Sequence, residues 1–169
     1  MMKKLTILFL LASVVMMAAC SDDDSFSTST GNLLSFSTDT LRLDTTFSNV
    51  PTPTKTFWVY NNSGDGLRLA NVRLAQGNQT GFRVNVDGIS LDASNGYQAN
   101  NLEVRNKDSI RVFVEMTSPI NSATTPQQIT DNLIFTLESG VQQKVNLNVY
   151  SWDAELLKGL NVTTNTTLT

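Results

Sequence analysis

The chain has 169 residues, with 12 Lys+Arg against 15 Asp+Glu for a net charge of −3, no histidine and a single cysteine, Cys20. One ordinary domain is the expectation at this length. The acidic balance argues against a grip on a nucleic-acid backbone. The missing residue types exclude intrachain disulfides, Cys/His zinc sites, a histidine general base and Cys–His nucleophile pairs.

Residues 1–19 have the three parts of a secretory signal. Lys3 and Lys4 supply the basic start, residues 5–17 are apolar apart from Thr6 and Ser13, and small Ala18 and Ala19 precede Cys20. A transmembrane helix is the competing reading. The run is shorter than the stretch of about 20 residues that spans a hydrocarbon core, and it stops at small residues rather than at a basic cluster. Met17-Ala18-Ala19-Cys20 resembles a bacterial lipobox, with Met17 where Leu is more usual. That resemblance implies that Cys20 is diacylated and becomes the first residue of the mature chain. The residues agree with it, since the chain's one cysteine has no disulfide partner and stands at the signal's end. Acyl chains adding about 0.8 kcal/mol per buried methylene anchor a protein stably once there is more than one. An incidental cysteine beside an ordinary cleavage site is the alternative. Ser21, Asp22, Asp23 and Asp24 follow at once, and they look like the surface-export signal of Bacteroidetes lipoproteins. A solvated acidic tether is the plainer reading. Without residues 1–19 the balance is 10 basic against 15 acidic.

Residues 20–32 carry Ser, Thr, Asp, Gly and Asn around a lone Phe26 and read as a flexible stalk, too polar to offset ordering entropy. From Leu33 the pattern becomes period-two alternation broken by turn residues. Strands are expected at 33–37, around Leu41 and Leu43, and at 55–60, where Phe57 and Val59 face one way and Trp58 and Tyr60 the other. Residues 61–66 are a turn by composition. Leu67, Leu69, Val72 and Leu74 form a strand with a phase break near Ala70-Asn71, as a bulge produces. Residues 82–86 alternate cleanly, 87–101 read as a long loop, and a short strand holds Leu102 and Val104. Ile110, Val112, Val114 and Met116 make the cleanest strand. A loop over 118–128 leads to the last two strands, 133–137 and 144–150. No window sustains a 3.6-residue period, so no substantial helix is expected.

Short strands at even spacing predict an all-β fold, an immunoglobulin-like antiparallel β-sandwich of about 7–9 strands over 33–152. A small β-barrel is the competing architecture. The inner faces are expected from Phe36, Leu41, Leu43, Phe57, Val59, Leu69, Val84, Val86, Ile110, Val112, Val114, Phe135, Val145, Leu147 and Val149.

Four segments carry a family resemblance: 36–40 (FSTDT), 55–64 (KTFWVYNNSG), 82–85 (FRVN) and 108–114 (DSIRVFV). With them the chain over 33–150 is similar to the immunoglobulin-like domains of the ASPM/SPD-2/Hydin type, which also stand behind the anchor of Bacteroidetes surface lipoproteins. The motifs are loose and mostly encode fold. They imply a non-catalytic spacer or binding module and transfer no active site. Residues 153–169 read as a linker or the start of a further β domain. Residues 158–169 resemble the entry to a right-handed parallel β-helix, which implies the N-terminal part of a longer protein; a frayed polar tail is the alternative.

Candidate sites are few. Asn61, Ser63, Asp65 and Gly66 echo half a calcium loop, but the twelfth position is Val72 where a bidentate Glu is required, and a hairpin turn is the better reading. Asp87 and Asp92 share a loop and are more simply solvated than cation-binding. Trp58, Tyr60, Tyr97, Tyr150 and Trp152 are candidates for an aromatic glycan platform, with Trp58, Tyr60 and Trp152 the leading three; in a sandwich large aromatics more often serve the core. Thr40, Thr45 and Ser109 each follow an Asp in a triplet that looks like the Bacteroidetes O-glycosylation signal. Glu103, Glu115 and Glu138 fall on different strands, whereas glycoside hydrolysis needs two carboxyl groups at fixed separation. The expectation is therefore a surface-exposed, outer-membrane lipoprotein with no enzyme activity, metal or cofactor. It acts as a structural spacer or interaction domain with a glycan or surface-protein partner, the alternative being a carbohydrate-binding module.

Overall fold

In the computed structural model, residues 25–122 and 125–153 are described. The signal over 1–19, Cys20, the export residues Ser21, Asp22, Asp23 and Asp24, and the linker over 154–169 lie outside the described residues. Alternation of buried and exposed side chains follows the sequence pattern along β4, β6, β9 and most of β11. In chain order the strands are β1 (Leu34–Phe36), β2 (Thr40–Arg42), β3 (Thr46–Phe47), β4 (Lys55–Asn61), β5 (Leu67–Leu74), β6 (Phe82–Val86), β7 (Ile89–Ser90), β8 (Gln98–Val104), β9 (Ser109–Met116), β10 (Gln127–Leu137) and β11 (Gln142–Trp152).

They form two sheets, β1-β4-β9-β6-β7 and β2-β11-β10-β5-β8, with β3 also pairing β11. This is an immunoglobulin-like β-sandwich rather than a closed barrel. Two details differ from expectation. The second sheet is mixed, because β2 and β3 run parallel to β11. The strand count is also higher, since four pieces of two or three residues join seven long strands. The mixed pairing and three of the four short pieces come from the start of the chain, which divides itself between the sheets; the fourth, β7, is an edge strand beside β6. After β1 pairs antiparallel with β4, Ser37 accepts from the Trp58 amide through Oγ and donates its own amide to the Trp58 carbonyl. The Thr38 hydroxyl then bonds the Thr40 carbonyl at 2.8 Å, and the chain crosses to β11.

Every expected inner-face residue is buried except Phe36, which is half-buried and packs against the core. Phe135 sits between Phe36, 5.1 Å away, and Phe57, edge-on at 6.4 Å. The phase break in β5 is real: β10 shifts register there, Thr136 facing Asn71 and Leu137 facing Leu69. The loop expected over 87–101 is largely ordered as β7, a 3-10 turn at Ala93–Asn95 and the first half of β8. The first half of β10 was also unexpected, because Gln127 to Asn132 are mostly polar. Asp131, only 2% exposed, stands in a core position there. Its carboxylate accepts from the Asn132 amide (2.7 Å), the Thr80 hydroxyl (2.9 Å) and the Gln76 amide (3.2 Å), fastening the β5–β6 turn.

The stalk ends earlier than its composition suggests. Phe26 forms a bridge with Gly66, and the Arg68 guanidinium lies 4.3 Å from the Phe26 ring centre. A Cβ on Gly66 would come within 3.1 Å of that ring and of the Ser25 carbonyl, so the glycine makes room for the contact. A lone aromatic in a polar tract found a backbone seat and a cation to cover it.

The two sheets are joined at one end of the sandwich through Asn61, which is fully buried at the end of β4. Its Nδ2 donates to the Val104 carbonyl at the end of β8 in the other sheet (2.7 Å) and to the Asp65 carbonyl in the β4–β5 turn (2.8 Å). Its Oδ1 accepts from the Ser63 amide and hydroxyl, while its backbone pairs with Lys107 and Asp108. Asn61→Leu removes the donors and leaves two carbonyls without them. It is expected to lower the unfolding free energy by about 3 kcal/mol in urea titration, with an unchanged slope; a negligible loss would mean that apolar packing alone holds this corner.

Candidate functional site

The outward residues of β4, β9 and β6 form the candidate surface, and the strand register sets their neighbours. Trp58 pairs with Arg111, Thr56 with Phe113, Phe113 with Asn85, and Glu115 with Arg83. Trp58 is 39% exposed. The Arg111 guanidinium lies 5.2 Å from the Trp58 ring centre and 5.0 Å from that of Phe113, and it donates to the Thr56 hydroxyl at 3.3 Å. A cation thus sits between two aromatic rings on an otherwise polar face.

Beyond Phe113 the face opens into a groove of about 350 Å³, lined by Thr54, Arg83, Asn85, Ser90, Asp92, Phe113 and Glu115 with Val84 and Leu91. Glu115 is clasped on both oxygens. Thr54 donates its hydroxyl to Oε1, and Arg83 donates to Oε2 at 3.0 Å. These two hydrogen bonds, with the Arg83 charge, hold the carboxyl below the usual carboxylate range. The opposite rim is a short capped turn. Asp92 Oδ1 accepts from the Ser94 amide and hydroxyl (2.9 and 2.6 Å), and Asn95 accepts from the Asp92 amide while donating to the Ser90 carbonyl. The Ser94 hydrogen bonds keep the Asp92 carboxyl low as well. The Leu91 amide bonds the Val84 carbonyl, fixing this rim to β6.

The remaining sequence candidates are placed as follows. The aromatics do not make one platform. Trp58 and Tyr60 face outward from the first sheet, whereas Tyr150 and Trp152 face outward from the second, on the opposite side. Trp152 is half-buried and stacks on Phe47 at 5.7 Å, and Tyr97 accepts from Asn78. The oxygens of Asn61, Ser63 and Asp65 are spent within the turn and on Asn32, so this segment is a hairpin turn. Asp87 is exposed in the β6–β7 turn, and no group of three metal-ligating side chains occurs among the described residues. Thr45 is exposed between β2 and β3, while Thr40 and Ser109 are half-buried in strands. Glu103 and Glu138 both pair with Arg68, at 2.9 and 3.5 Å, in the sheet opposite Glu115.

The groove itself was invisible in the sequence, because its residues come from four separated segments and one rim was read as irregular loop. The available signal was the period-two outward set Arg111, Phe113 and Glu115 on the cleanest strand.

No protein-family model matches the chain, and no curated protein matches it. Solved structures similar to it include the Vibrio cholerae VesB protease, at 15% identity over 72% of this chain and 32% of that one (TM-score 0.42). A protein of unknown function from Porphyromonas gingivalis matches at 14% identity over 71% of this chain and 48% of that one (TM-score 0.49). A PapD-like domain of human CEP192 matches at 10% identity over 79% and 94% (TM-score 0.46). The chain spans about a third of the first of these and about half of the second.

Replacing the Thr54 hydroxyl tests the electrostatics of the groove. Thr54→Val is expected to raise the NMR titration midpoint of Glu115 toward the usual carboxylate range. With the folded-state value below the unfolded one, the clasp favours folding at neutral pH, and that contribution is lost as pH falls through the folded-state value. With Glu115 39% exposed the gain is small. An unmoved midpoint would show that Arg83 alone sets it.

Proposed function

We propose that this chain is a lipid-anchored protein of a bacterial outer membrane, facing the cell exterior, and that its sandwich is a non-catalytic interaction module. The observation that carries the anchor is the placement of the chain's one cysteine, Cys20, directly after an apolar run and two small residues. The acidic run Asp22–Asp24 supports routing to the outer leaflet, by its likeness to the export signal of Bacteroidetes lipoproteins. The seating of Phe26 on Gly66 bears on geometry. Only residues 21–25 separate Cys20 from Phe26, and six chain steps span at most about 21 Å when extended. The sandwich therefore works close to the bilayer.

Two features support an interaction role over a catalytic one. The carboxyl groups of the groove, Glu115 and Asp92, are both held below the usual range, whereas glycoside hydrolysis needs one acid raised so that it can protonate a leaving group. On the opposite sheet, Glu103 and Glu138 both pair with Arg68. A second reading, a carbohydrate-binding module, has its own support: Trp58 is exposed among polar neighbours with Arg111 beneath it.

The anchor and the export signal are separable by experiment. Cys20→Ser is expected to abolish incorporation of a radiolabelled fatty acid and to release the protein from the membrane fraction. Changing Asp22, Asp23 and Asp24 to Asn is expected to keep the label but to protect the protein from protease added to intact cells. Undiminished labelling of Cys20→Ser would overturn the anchor, and undiminished protease sensitivity would overturn the export role of the aspartates.

A further inference from the structure

We propose that the groove between Phe113, Glu115 and the Ser90–Asp92 rim binds the end of a neutral, hydroxyl-rich oligosaccharide; this rests on the carbohydrate-binding reading and names its site and ligand class. The argument begins with charge. In the lining, Glu115 and Asp92 contribute two negative charges and Arg83 one positive charge, with Arg111 outside the lining on the Trp58 side of Phe113. One negative charge in excess repels a polyanion and is too little to hold a polycation tightly. The site suits a ligand that brings dipoles rather than charge.

Hydrogen-bonding capacity points the same way. Two ionised carboxylates accept at several lone pairs, and the bonds described use only part of that capacity. Asp92 Oδ1 is committed to Ser94, and Oδ2 takes part in none of the hydrogen bonds among the described residues. Ser90 and Asn85 bond to each other at 3.2 Å and keep further donors and acceptors. The free capacity is thus rich in acceptors, matching a ligand that presents many O–H donors. The Phe113 ring, half-buried beside Leu91, supplies an apolar surface for the C–H face of a sugar ring.

The site is also built in advance. The Asp92 carboxylate is fixed by its cap, the rim by the Leu91–Val84 bond, and Glu115 by Thr54 and Arg83. A ligand therefore has little side-chain ordering to pay for. At about 350 Å³ the groove lies at the small end of the range of ligand sites, which fits a chain end rather than a long stretch of polymer.

The test is titration calorimetry of the full-length chain in detergent. The probes are cello-, malto-, manno- and xylo-hexaose as neutral ligands, with oligogalacturonate and a sialylated oligosaccharide as charged ones. The expected result is binding of at least one neutral probe and of neither charged one. Phe113→Ala and Asp92→Asn should each weaken binding at least about tenfold, and Tyr150→Ala on the opposite sheet should leave it unchanged. Asparagine caps as well as aspartate, so Asp92→Asn keeps the rim while removing the charge, and an unchanged thermal midpoint confirms folding. No binding of any neutral probe at millimolar concentration overturns the proposal. So does preference for a charged probe, or neutral binding that survives both substitutions. Protease access on intact cells is measured separately, so failure here and failure of the surface assignment are told apart.

Discussion

The buried carboxamide of Asn61 is the constraint on which the rest of this sandwich depends. A chain with no disulfide must close its two sheets by packing and hydrogen bonding alone. Asn61 stands where the last residue of β4 meets the turn into β5 and the end of β8, and it gives one donor to each side. Its own backbone pairs with the β8–β9 turn at Lys107 and Asp108. One side chain thereby ties two turns and both sheets at the same end of the molecule. All its polar atoms are satisfied, which is what makes a fully buried amide stabilising rather than costly.

Closure at that corner frees the outer face of the first sheet from structural duty. The inward residues of β4, β9 and β6 are buried apart from Lys55 at the start of β4, so alternation turns Trp58, Arg111, Phe113, Asn85, Arg83 and Glu115 outward in fixed register. Cross-strand pairing, not a loop, sets the spacing of these side chains. The second sheet is organised differently. Its outward charges are held together by Arg68, which serves Phe26, Glu103 and Glu138 at once. One side of the sandwich thus carries the seat of Phe26, and the other carries the groove.

Much of the fold was legible in the sequence, because a sheet buried on one face writes its core in period two. Strands β4, β6, β9 and β11 stood out by alternation, and the break at Ala70-Asn71 showed the bulge in β5. What stayed hidden has physical reasons. The first half of β10 is a strand held by its ladder to β11, with a hydrogen-bonded Asp131 in a core position where a pattern search expects an apolar residue. The split of the first strand between sheets, which makes the second sheet mixed, depends on local bonds from Ser37 and Thr38 that composition does not reveal. Phe26 reads as part of a stalk because its partners, Gly66 and Arg68, are 40 and 42 residues away. The groove was the least legible part. Sequence reasoning found Trp58 and Glu115 singly, but it grouped Trp58 with Trp152, which the topology sends to the opposite face.

The measurement that tests this account most directly is native-state hydrogen exchange read by NMR at the side-chain amide of Asn61. If Asn61 closes the sandwich, its Nδ2 protons exchange only through global unfolding, at the same slow rate as the core amides of β4 and β9. Exchange as fast as that of the exposed asparagines, with the core amides still protected, would contradict the account. The corner would then open independently of the sheets it was taken to join.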